Sequence, residues 1–514
     1  MKIAIETQLP QFQNDIADVV RLFYGEGAAV TVMEPHDAAL VHTHQVDGAN
    51  WREAFALTIG GTRLSSELSA EAVTGGALEE KRQLKRLVKR CCYQLMKQFT
   101  GRTPAWGSLT GIRPTRLYYQ QLEQGKTREQ ARQALSSLFD LSEEKLDLLD
   151  EIITAQDGLI QRAQSACDLY VGIPFCTTRC AYCSFSSGEI GNGKLVEPYL
   201  TALMHEIDLC SALAEETGLQ IRVGYVGGGT PSSLSTAQLD RLLTHIERRF
   251  GRLDEFTVEA GRPDTLDTEK LSMLRAHPVT RISINPQTMN DETLRAIGRA
   301  HTAQQTIDTY ALARRLGFDD INMDVIAALP GENLDMFART LRIISGLAPD
   351  SLTVHTLAIK RSSRLHEQGY TQSEQDVARM VAMGREAAHA LGMRAYYLYR
   401  QKYMAENQEN VGYAKPDRFC RYNIDNMEET TSVLALGAGG ISKCVMRQEE
   451  KILRAPNIAN IEQYIERVAE MVARKREAFA VKARSLNGGE KRDHSGQAGS
   501  AALCQAGGAP RRGD

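Results

Sequence analysis

The chain has 514 residues, of which 42% are hydrophobic and 24% charged, and its formal net charge is −3. That length is too great for one ordinary core, so two or three domains are expected. The balanced charge gives no sign of a nucleic-acid or membrane partner, and no run of about 18 apolar residues could span a bilayer. The apolar start MKIAIETQLPQF is too short for a signal peptide, so we expect a globular protein in the cytoplasm.

Residues 1–160 predict an α+β accessory domain. KIAIE and ALVHTHQV alternate like strands, and Leu78–Phe99 has the spacing of a helix. The first half of that helix carries a basic stripe, which indicates a solvated face more often than an RNA contact. SLTGIRPTRL (Ser108–Leu117) predicts either an anion-binding loop or a structural one. Leu141–Gln156 predicts an amphipathic linking helix that Ser142 can cap.

From Asp168 onward, short β-branched runs alternate with amphipathic helices. The predicted strands are DLYVGI, IRVGYV, EFTVEA, TRISIN, DINMDVIA and SLTVHTLA. Strand–helix units of this kind form parallel sheets with right-handed crossovers, and six strands are too few to close an eight-stranded barrel. The sequence therefore predicts an α/β fold with a partial (β/α)6 barrel over residues 165–395. Ligands in such folds bind at the carboxyl ends of the strands.

Residues 396–479 predict a helical C-terminal region that covers the substrate. Its first part is rich in tyrosine and basic residues: Tyr396, Tyr397, Tyr399, Arg400, Lys402, Tyr403, Tyr413, Arg418, Arg421 and Tyr422. This mixture suits either a broad apolar ligand with several carboxylates or simple packing. A helix is predicted at Asn457–Phe479. Residues 480–514 are rich in Gly, Ala, Ser and Arg and predict a disordered tail.

Three cysteines follow the first barrel strand, in the stretch YVGIPFCTTRCAYCSF: Cys176, Cys180 and Cys183. Their C-x3-C-x2-C spacing places them on the loop at the carboxyl end of that strand. Iron–sulfur clusters bind cysteine thiolates, normally four for a cubane, so three thiolates would leave one iron open to a substrate or cofactor. A zinc site, which needs a fourth ligand, and three unrelated thiols remain alternatives. The other cysteines are scattered and indicate plain thiols of a reducing compartment.

Polar features recur at the ends of the later strands. The second strand ends in GGGTP (Gly227–Pro231), a glycine run that lets backbone groups approach a ligand closely. Glu259, Gln287 and Asp324 end the next strands, and Arg299 lies nearby. A carboxylate there can accept hydrogen bonds from a ribose, and an arginine can bind a carboxylate. Each of these residues alone is typical of an ordinary capping residue. Together they would line one opening at the carboxyl ends of the strands.

These motifs resemble those of the radical S-adenosylmethionine (SAM) superfamily. CTTRCAYC followed by GGGTP is typical of the superfamily. Three stretches are similar to oxygen-independent coproporphyrinogen III oxidase and its relatives: the frame Tyr170-x-x-Ile-Pro-Phe-Cys176, LPGE (Leu329–Glu332) and GAGGISK (Gly437–Lys443). LTGIRPTR, YYLYRQK and ENVGYA resemble the subgroup called HemZ. The resemblance covers nearly all of the chain up to about residue 479.

The resemblance implies two cofactors and the residues that bind them. Cys176, Cys180 and Cys183 would ligate a [4Fe–4S] cluster, and SAM would chelate the fourth iron. Tyr170 would lie beside the cluster and SAM at the catalytic centre. The other implied SAM contacts are Gly228, Gly229, Thr230, Glu259, Gln287, Arg299 and Asp324, while Ile441 would lie against a second SAM.

The implied reaction is the oxidative decarboxylation of coproporphyrinogen III to protoporphyrinogen IX in heme synthesis, with electrons from an unidentified donor. Two positions depart from the oxidase: Gly172 replaces a histidine, and Ser184–Phe185 replaces a segment with a further cysteine. The first alternative is the related branch of heme chaperones, with His355 as a weak candidate heme ligand. Another related branch opens heme with a methyl or adenosyl radical. An RNA-acting protein that binds through Lys81–Arg90 is the least favoured alternative.

Overall fold

The computed structural model describes residues 1–496 apart from 26–27, 31–33, 73–75, 112, 161–162, 186, 361, 371–375, 403, 448 and 450, with side chains as far as residue 483. Within these residues the strands form a five-stranded sheet, an eleven-stranded sheet and a separate pair. None of the helices in these residues is long and apolar enough to cross a membrane.

The amino-terminal sheet is formed by the first five strands. The elements here are β1 (Ile3–Thr7), α1 (Gln13–Tyr24), β2 (Ala29–Val30), β3 (Ala38–Asp47), β4 (Asn50–Ile59), β5 (Thr62–Glu71) and α2 (Ala77–Thr100). The strand order is β2-β1-β3-β4-β5, with β1 parallel to its neighbours and the others antiparallel. Alternate residues of β3 and β4 are buried and share a core with α1 and α2, as the predicted α+β character requires.

A helical segment joins this sheet to the larger one. It contains α3 (Pro114–Glu123), α4 (Arg128–Phe139) and α5 (Glu143–Ala155). Ser142 caps α5 as predicted, because its hydroxyl accepts a hydrogen bond from the amide of Lys145. Buried side chains from Trp106 to Ile153 belong to the core of the larger sheet, whereas those of the amino-terminal core end at Met96. The region predicted as one domain, residues 1–160, therefore contributes to two cores.

All six predicted barrel strands are present and lie side by side. They are β6 (Ala166–Ile173), β9 (Gln220–Gly228), β10 (Glu255–Val258), β11 (Arg281–Ser283), β12 (Ile321–Ala327) and β13 (Ser351–Thr356). They pair in parallel and in chain order. The short strands β7 (Phe175–Cys176) and β8 (Gly188–Glu189) form the separate pair. Parallel neighbours bring every carboxyl end of the six strands to one edge of the sheet.

Amphipathic helices connect these strands, as the alternating pattern predicts. They are α6 (Val196–Glu216), α7 (Thr236–Phe250), α8 (Thr268–Ala276), α9 (Asp291–Ala296), α10 (Ala303–Arg315), α11 (Leu334–Leu347), α12 (Arg364–Glu367) and α13 (Val377–Ala390). In α7, helical spacing places Leu239, Leu242, Leu243 and Ile246 on one face, and all four are buried. The same periodicity therefore accounts for the packing of these helices on the sheet.

The carboxyl-terminal region adds strands to both edges of the barrel sheet, besides its helices. Its elements are β14 (Arg394–Tyr399), β15 (Asn410–Ala414), α14 (Arg421–Glu428), β16 (Ser432–Leu436), β17 (Ile441–Met446), β18 (Lys451–Pro456), α15 (Ile461–Glu466) and α16 (Val468–Gly496). β15 joins β13 in antiparallel pairing, and β16 joins β6 in parallel. The order β14-β15-β13-β12-β11-β10-β9-β6-β16-β17-β18 leaves the sheet open, in agreement with the predicted partial barrel.

The predicted helix Asn457–Phe479 is divided at Arg467 into α15 and α16. α16 continues to Gly496, beyond residue 480, where the sequence predicts the start of a disordered tail. Just beyond residue 480 the helix is still in contact with the sheet, since the buried ammonium of Lys482 donates a hydrogen bond to the hydroxyl of Ser432 on β16 at 2.7 Å. The rest of the predicted tail, residues 497–514, lies outside the described part of the chain.

The motifs that resemble the HemZ subgroup meet at one buried junction. Arg400 of YYLYRQK donates a hydrogen bond to the carbonyl of Leu109 in LTGIRPTR at 2.7 Å. Glu409 of ENVGYA accepts one from the indole of Trp106 at 2.7 Å and pairs with Lys145 at 2.7 Å. Arg400 and the Glu409–Lys145 pair are buried, so these motifs join the helical segment to β14 and β15. Leu109 of LTGIRPTR therefore takes part in this junction, and the last three residues of the motif, Pro114–Arg116, begin α3.

A second buried ion pair fixes the turn after β16. Glu206 on α6 and Lys475 on α16 are fully buried, and Oε1 of the carboxylate lies 2.6 Å from the ammonium nitrogen. Oε2 of Glu206 accepts hydrogen bonds from the amide of Gly437 at 2.7 Å and the hydroxyl of Tyr464 at 2.6 Å. Buried charges are tolerated when they are paired and hydrogen-bonded. This cluster therefore holds α15, α16 and the Gly437 turn together.

Lys475→Met should destabilise the protein strongly, because it leaves the Glu206 carboxylate buried without its cation. Removing one partner of a buried pair costs about 3–5 kcal/mol, which would appear as a lower denaturant midpoint for the larger sheet. The matched double variant, Glu206→Gln with Lys475→Met, removes both charges and should recover much of the loss. A single variant as stable as the parent would show that the pair does not support the fold.

Candidate functional site

The cysteine loop, residues 174–185, leaves the carboxyl end of β6. Cys176 lies in β7, and Cys180 and Cys183 follow in a turn. The amide of Ala181 donates a hydrogen bond to the carbonyl of Ile297 beyond α9 at 2.9 Å. Cys180 is 9% exposed, and the other two cysteines are partly exposed. The thiols thus lie at the edge of the sheet where the sequence predicts the chemistry.

The predicted glycine run at the end of β9 packs against this loop. A Cβ atom at Gly229 would lie 2.6 Å from the carbonyl oxygen of Phe175 and 3.0 Å from the sulfur of Cys176. Gly228 has a φ of +109°, and a Cβ there would lie 3.1 Å from a backbone oxygen of β6. Both positions therefore require glycine. The buried hydroxyl of Thr230 donates a hydrogen bond to the Cys176 sulfur at 3.5 Å, so the glycine run and the first cysteine form one unit.

Glu259 follows β10 and faces the glycine run. The hydroxyl of Tyr225 on β9 donates a hydrogen bond to Oε1 of Glu259 at 2.5 Å. A Cβ atom at Gly227 would lie 2.9 Å from the other carboxyl oxygen. Burial raises the pKa of Glu259 to about 7, although the hydrogen bond from Tyr225 lowers it. Glu259 is therefore a partly buried carboxyl group whose pKa lies near neutral pH.

Gln287 lies beyond β11 in a left-handed backbone conformation, with φ of +66°, which residues other than glycine rarely adopt. Its amide donates a hydrogen bond to the carbonyl of Asp324 at 2.9 Å, and its carbonyl accepts one from the amide of Ile326 at 3.0 Å. Its side-chain oxygen is buried and has no hydrogen-bond partner among the described residues. A strained backbone held by its neighbours is typical of ligand sites.

Glu332 of the LPGE motif stabilises the turn that carries Gln287. Its Oε1 accepts hydrogen bonds from the hydroxyl of Thr288 and from Nδ2 of Asn290, the latter at 2.8 Å. Glu332 is buried, and its two partners lie one and three residues after Gln287 in the chain. The motif therefore positions the segment that carries Gln287.

Arg299 reaches the cysteine loop from the segment after α9. Its Nη2 donates a hydrogen bond to the hydroxyl of Tyr182 at 3.1 Å, and its Nη1 donates to the carbonyls of Gly261 and Asn285 at 3.2 and 3.4 Å. Its Nε is buried without a hydrogen-bond partner in the described structure. The guanidinium thus contacts Tyr182, the aromatic residue between the last two cysteines.

Asp324 on β12 lies beside His355 on β13. Oδ1 of Asp324 accepts a hydrogen bond from Nδ2 of Asn322 at 2.8 Å, and Oδ2 lies 3.7 Å from Nε2 of His355. Burial raises the pKa of Asp324, but the hydrogen bonds and the charge of His355 outweigh it and hold the pKa below its usual value. Nδ1 of His355 lies 3.4 Å from the hydroxyl of Tyr399. The site therefore holds an ionised carboxylate next to an imidazole.

Tyr170 on β6 stacks with two other tyrosines. Its ring centroid lies 6.3 Å from that of Tyr225 and 6.1 Å from that of Tyr422, and the latter two are 4.5 Å apart. Burial raises the pKa of Tyr170 well above its ordinary value, so the hydroxyl stays protonated. Tyr422 belongs to α14, and the stack therefore connects the carboxyl-terminal region to the predicted site.

Ile441 lies across the β6–β16 seam from the other predicted residues. It begins β17 and is 48% exposed. β16 runs parallel to β6, so the turn between Leu436 and Ile441 lies at the same edge as the cysteine loop. That turn packs on Gly172: a Cβ atom at Gly437 would lie 2.4 Å from the Gly172 carbonyl oxygen. The close packing, together with a φ of +91°, explains the glycine at position 437.

Motif reasoning missed two residues of this site, Tyr225 and Asn285. Tyr225 stands two positions before Gly227, the first residue of the predicted glycine run, and Asn285 stands two positions before the predicted site residue Gln287. Alternate residues of an extended segment share a face, so the period of two along these strands is the signal that finds them.

Several buried polar atoms near these side chains have no hydrogen-bond partner among the described residues. Those that are buried without hydrogen-bond partners among the described residues include Thr257 Oγ1, Ser283 Oγ, Asn285 Oδ1, Gln287 Oε1 and Arg299 Nε. Buried polar atoms normally have partners, so this set of donors and acceptors fits a polar ligand such as SAM. In the described structure no three His, Cys, Asp or Glu side chains converge on a single metal ion, whereas a cubane binds its thiolates on separate irons.

Comparison with known proteins identifies relatives of the same fold. The family model of the radical SAM superfamily matches residues 170–344. The oxygen-independent coproporphyrinogen-III oxidase-like protein HemZ of Bacillus subtilis is 38% identical over 75% of this chain and 79% of its own length. The heme chaperone HemW of the same organism is 34% identical over 37% of this chain and 50% of its own length. The structure of coproporphyrinogen III oxidase HemN from Escherichia coli, described as a radical SAM enzyme, matches with a TM-score of 0.50 and 24% identity over 62% of this chain and 72% of that one.

The open parallel sheet and its cysteine loop define a radical SAM protein. The chain belongs to the radical SAM superfamily and, within it, to the family of oxygen-independent coproporphyrinogen-III oxidase-like proteins. Its cofactors are therefore the predicted ones, a [4Fe–4S] cluster and SAM. The chain spans about half the length of the heme chaperone that it matches, and the likeness to the HemN structure establishes the fold alone.

Gly229→Ala should disrupt cluster assembly, because its Cβ atom would collide with Phe175 and Cys176. We expect iron and sulfide per chain to fall sharply after anaerobic reconstitution, and the visible absorbance of the cluster to fall with them. Gly188→Ala is the matched control, since a Cβ atom at Gly188, in the strand that pairs with Phe175, meets nothing within 4 Å. Equal iron content in the two variants would contradict the close packing described here.

Proposed function

We propose that this protein is a radical SAM enzyme that decarboxylates two propionate side chains of coproporphyrinogen III and yields protoporphyrinogen IX without oxygen. The observation that carries the proposal is the close packing of the cysteine loop and the glycine run, shown by the contact of Thr230 with Cys176, in a chain whose relative is named for this oxidase. The protein would act in heme synthesis and receive electrons from a donor that is not yet identified.

The proposal assigns a role to each predicted site residue. Cys176, Cys180 and Cys183 would ligate the cluster. The residues that would contact SAM are Tyr170, Gly228, Gly229, Thr230, Glu259, Gln287, Arg299 and Asp324, with Ile441 at a second SAM. When bound, the two cofactors supply a carbon-centred radical that can take a hydrogen atom from an unactivated carbon. The fixed backbone of the glycine run and the ionised Asp324 would bind and orient the nucleoside.

The proposed reaction requires the chain to position a propionate and to exclude water and oxygen. Each propionate loses a hydrogen atom from its β-carbon, CO2 and one electron, and becomes a vinyl group. The bound cofactors would accept the hydrogen atom, and a one-electron acceptor would take the electron. The stacked rings of Tyr170, Tyr225 and Tyr422 close the space below the mouth with apolar surface, and the protonated Tyr170 hydroxyl is the candidate catalytic group.

Only part of the tyrosine-rich segment remains available to a tetrapyrrole. Tyr396, Tyr397 and Tyr413 are buried in packing, and Arg400 belongs to the junction with the helical segment. Tyr399 instead lies within 3.4 Å of His355 at the mouth. Tyr403 is not among the residues that the structure describes. Packing is thus the main role of this segment, and the proposal of a substrate-covering region depends on its remaining members.

A heme chaperone of the same fold is the second candidate. One observation favours it: His355 presents a 24% exposed side chain at the mouth. A relative named as a heme chaperone also matches part of the chain. An imidazole at an open mouth is a suitable ligand for heme iron.

The RNA-binding alternative receives little support from the contacts of α2. Lys85 lies 3.7 Å from the carboxylate of Asp15, and the guanidinium of Arg86 packs over a phenylalanine ring. Lys89 donates a hydrogen bond to the hydroxyl of Thr110. Much of the basic stripe is therefore already engaged within the protein.

Asp324→Ala should weaken SAM binding and leave the cluster intact, because the carboxylate would accept charge-assisted hydrogen bonds from the ribose. Loss of such a bond costs about 1.5–3 kcal/mol, or roughly a ten- to hundredfold weaker affinity, measured by calorimetry on reconstituted protein. Asp319→Ala is the matched control, since that exposed carboxylate precedes the same strand at its opposite end. Unchanged SAM affinity in Asp324→Ala would remove the residue from the site.

The function is tested by an anaerobic assay of the reconstituted protein with a strong reductant, SAM and coproporphyrinogen III. We expect 5′-deoxyadenosine to form in step with the loss of two carboxyl groups from the tetrapyrrole, followed by mass. Cys180→Ala should abolish both products together with the cluster. SAM cleavage without decarboxylation, accompanied by tight heme binding that His355→Ala weakens, would overturn the oxidase proposal and establish the chaperone.

A further inference from the structure

Asn322 lies on β12, two residues before Asp324. Alternate residues of a strand share one face, so the two side chains lie on the same side of the sheet. Nδ2 of Asn322 donates a hydrogen bond to Oδ1 of Asp324 at 2.8 Å. A hydrogen bond to an ionised acceptor is stronger than one between neutral groups. The contact therefore holds the Asp324 carboxylate in one orientation.

A residue of the neighbouring strand sets the orientation of the Asn322 amide. The hydroxyl of Thr353 on β13 donates a hydrogen bond to Oδ1 of Asn322 at 3.3 Å, and Thr353 is buried. An amide whose oxygen accepts this bond turns its NH2 group, the donor, away from Thr353. Thr353 lies opposite Asp324 in the pairing of β12 with β13. The three side chains therefore form one hydrogen-bonded series that ends on Asp324.

The series leaves part of the Asp324 carboxylate available to a ligand. Oδ1 accepts the bond from Asn322, while Oδ2 lies 3.7 Å from Nε2 of His355, which is longer than a normal hydrogen bond. A carboxylate has about four acceptor positions, so it can still accept hydrogen bonds from two hydroxyl groups of a ribose. Burial raises the pKa of Asp324, but its neighbours, Asn322 among them, hold the pKa below its usual value.

We propose that Asn322 is a positioning residue for SAM: it holds Asp324 in the orientation and charge state in which the carboxylate accepts hydrogen bonds from the ribose. The inference rests on the proposed contact of Asp324 with the nucleoside. Asn322 acts through Asp324 and is not itself assigned a contact with SAM. A side chain that is already held in place loses little freedom when the ligand binds, so the series increases the affinity for SAM.

The test measures the SAM affinity of the anaerobically reconstituted full chain by calorimetry. Asn322→Ala removes the donor, and we expect it to bind SAM about three- to tenfold more weakly than the parent near neutral pH. Its iron content should equal that of the parent. Met323→Leu is the matched control, because it changes a buried core residue of the same strand on the opposite face. That control should bind SAM as the parent does.

The dependence of SAM affinity on pH separates positioning from a merely structural role. In the parent, Asp324 accepts hydrogen bonds when it is ionised, so SAM affinity falls as the pH drops through its pKa. Asn322→Asp keeps the shape of the side chain but places a second carboxylate beside the first. Like charges favour a shared proton, and the protonated carboxyl group is again a donor to Asp324.

We therefore expect Asn322→Asp to bind SAM more weakly than the parent at about pH 8 and to recover part of the affinity at about pH 6. This dependence has the opposite sign to that of the parent. The other ionisable groups near Asp324 are His355, Glu259, Tyr225, Tyr397 and Tyr399. They are the same in both proteins and cannot cause the reversal.

Parent-like SAM affinity in Asn322→Ala, together with weaker binding in Asp324→Ala, would contradict the inference and leave the proposed function intact. Parent-like affinity in both variants would remove Asp324 from the site, and the inference with it. The absence of any recovery by Asn322→Asp at the lower pH would also contradict the inference, because a protonated donor at this position would then have no effect on Asp324.

Discussion

The contact between the end of β9 and the cysteine loop is the constraint on which the site depends. Gly229 lies so close to Cys176 and to the backbone of Phe175 that no side chain fits between them. Two neighbouring parallel strands therefore present their carboxyl ends as one surface, with thiols on one side and backbone polar groups on the other. A cofactor that touches both the cluster and the glycine run would find these groups already in place, which limits the entropy lost when it binds.

Two buried polar clusters stabilise the surface formed by the cysteine loop and the glycine run, although neither cluster is part of that surface. Glu332 supports the strained turn at Gln287, and the Glu206–Lys475 pair fixes the Gly437 turn that packs on Gly172. These groups do not line the mouth themselves. Their buried charges and hydrogen bonds nevertheless specify one arrangement of the loops, because an alternative arrangement would leave polar atoms buried without partners.

The local sequence pattern was sufficient to predict the six barrel strands, the buried face of α7 and the position of the cysteine loop, because each of these depends on residues that are close together in the sequence. Strands β14 to β18 were not predicted, because their place depends on the pairing of β15 with β13 and of β16 with β6, which is far away in the chain. α16 passes residue 480 with a long-range contact that local pattern cannot reveal, the hydrogen bond from Lys482 to Ser432. Tyr225 and Asn285 belong to no motif and become site residues only when neighbouring strands are placed side by side.

The central claim is that three thiolates hold the cluster and leave one iron open for SAM. The most direct measurement is electron–nuclear double resonance on the reduced protein, with SAM that carries magnetic isotopes in its amino and carboxylate groups. The account predicts that both labels couple to the cluster spin, as they must when the two groups bind the open iron. A cluster with full iron content that shows no coupling to either label would contradict it.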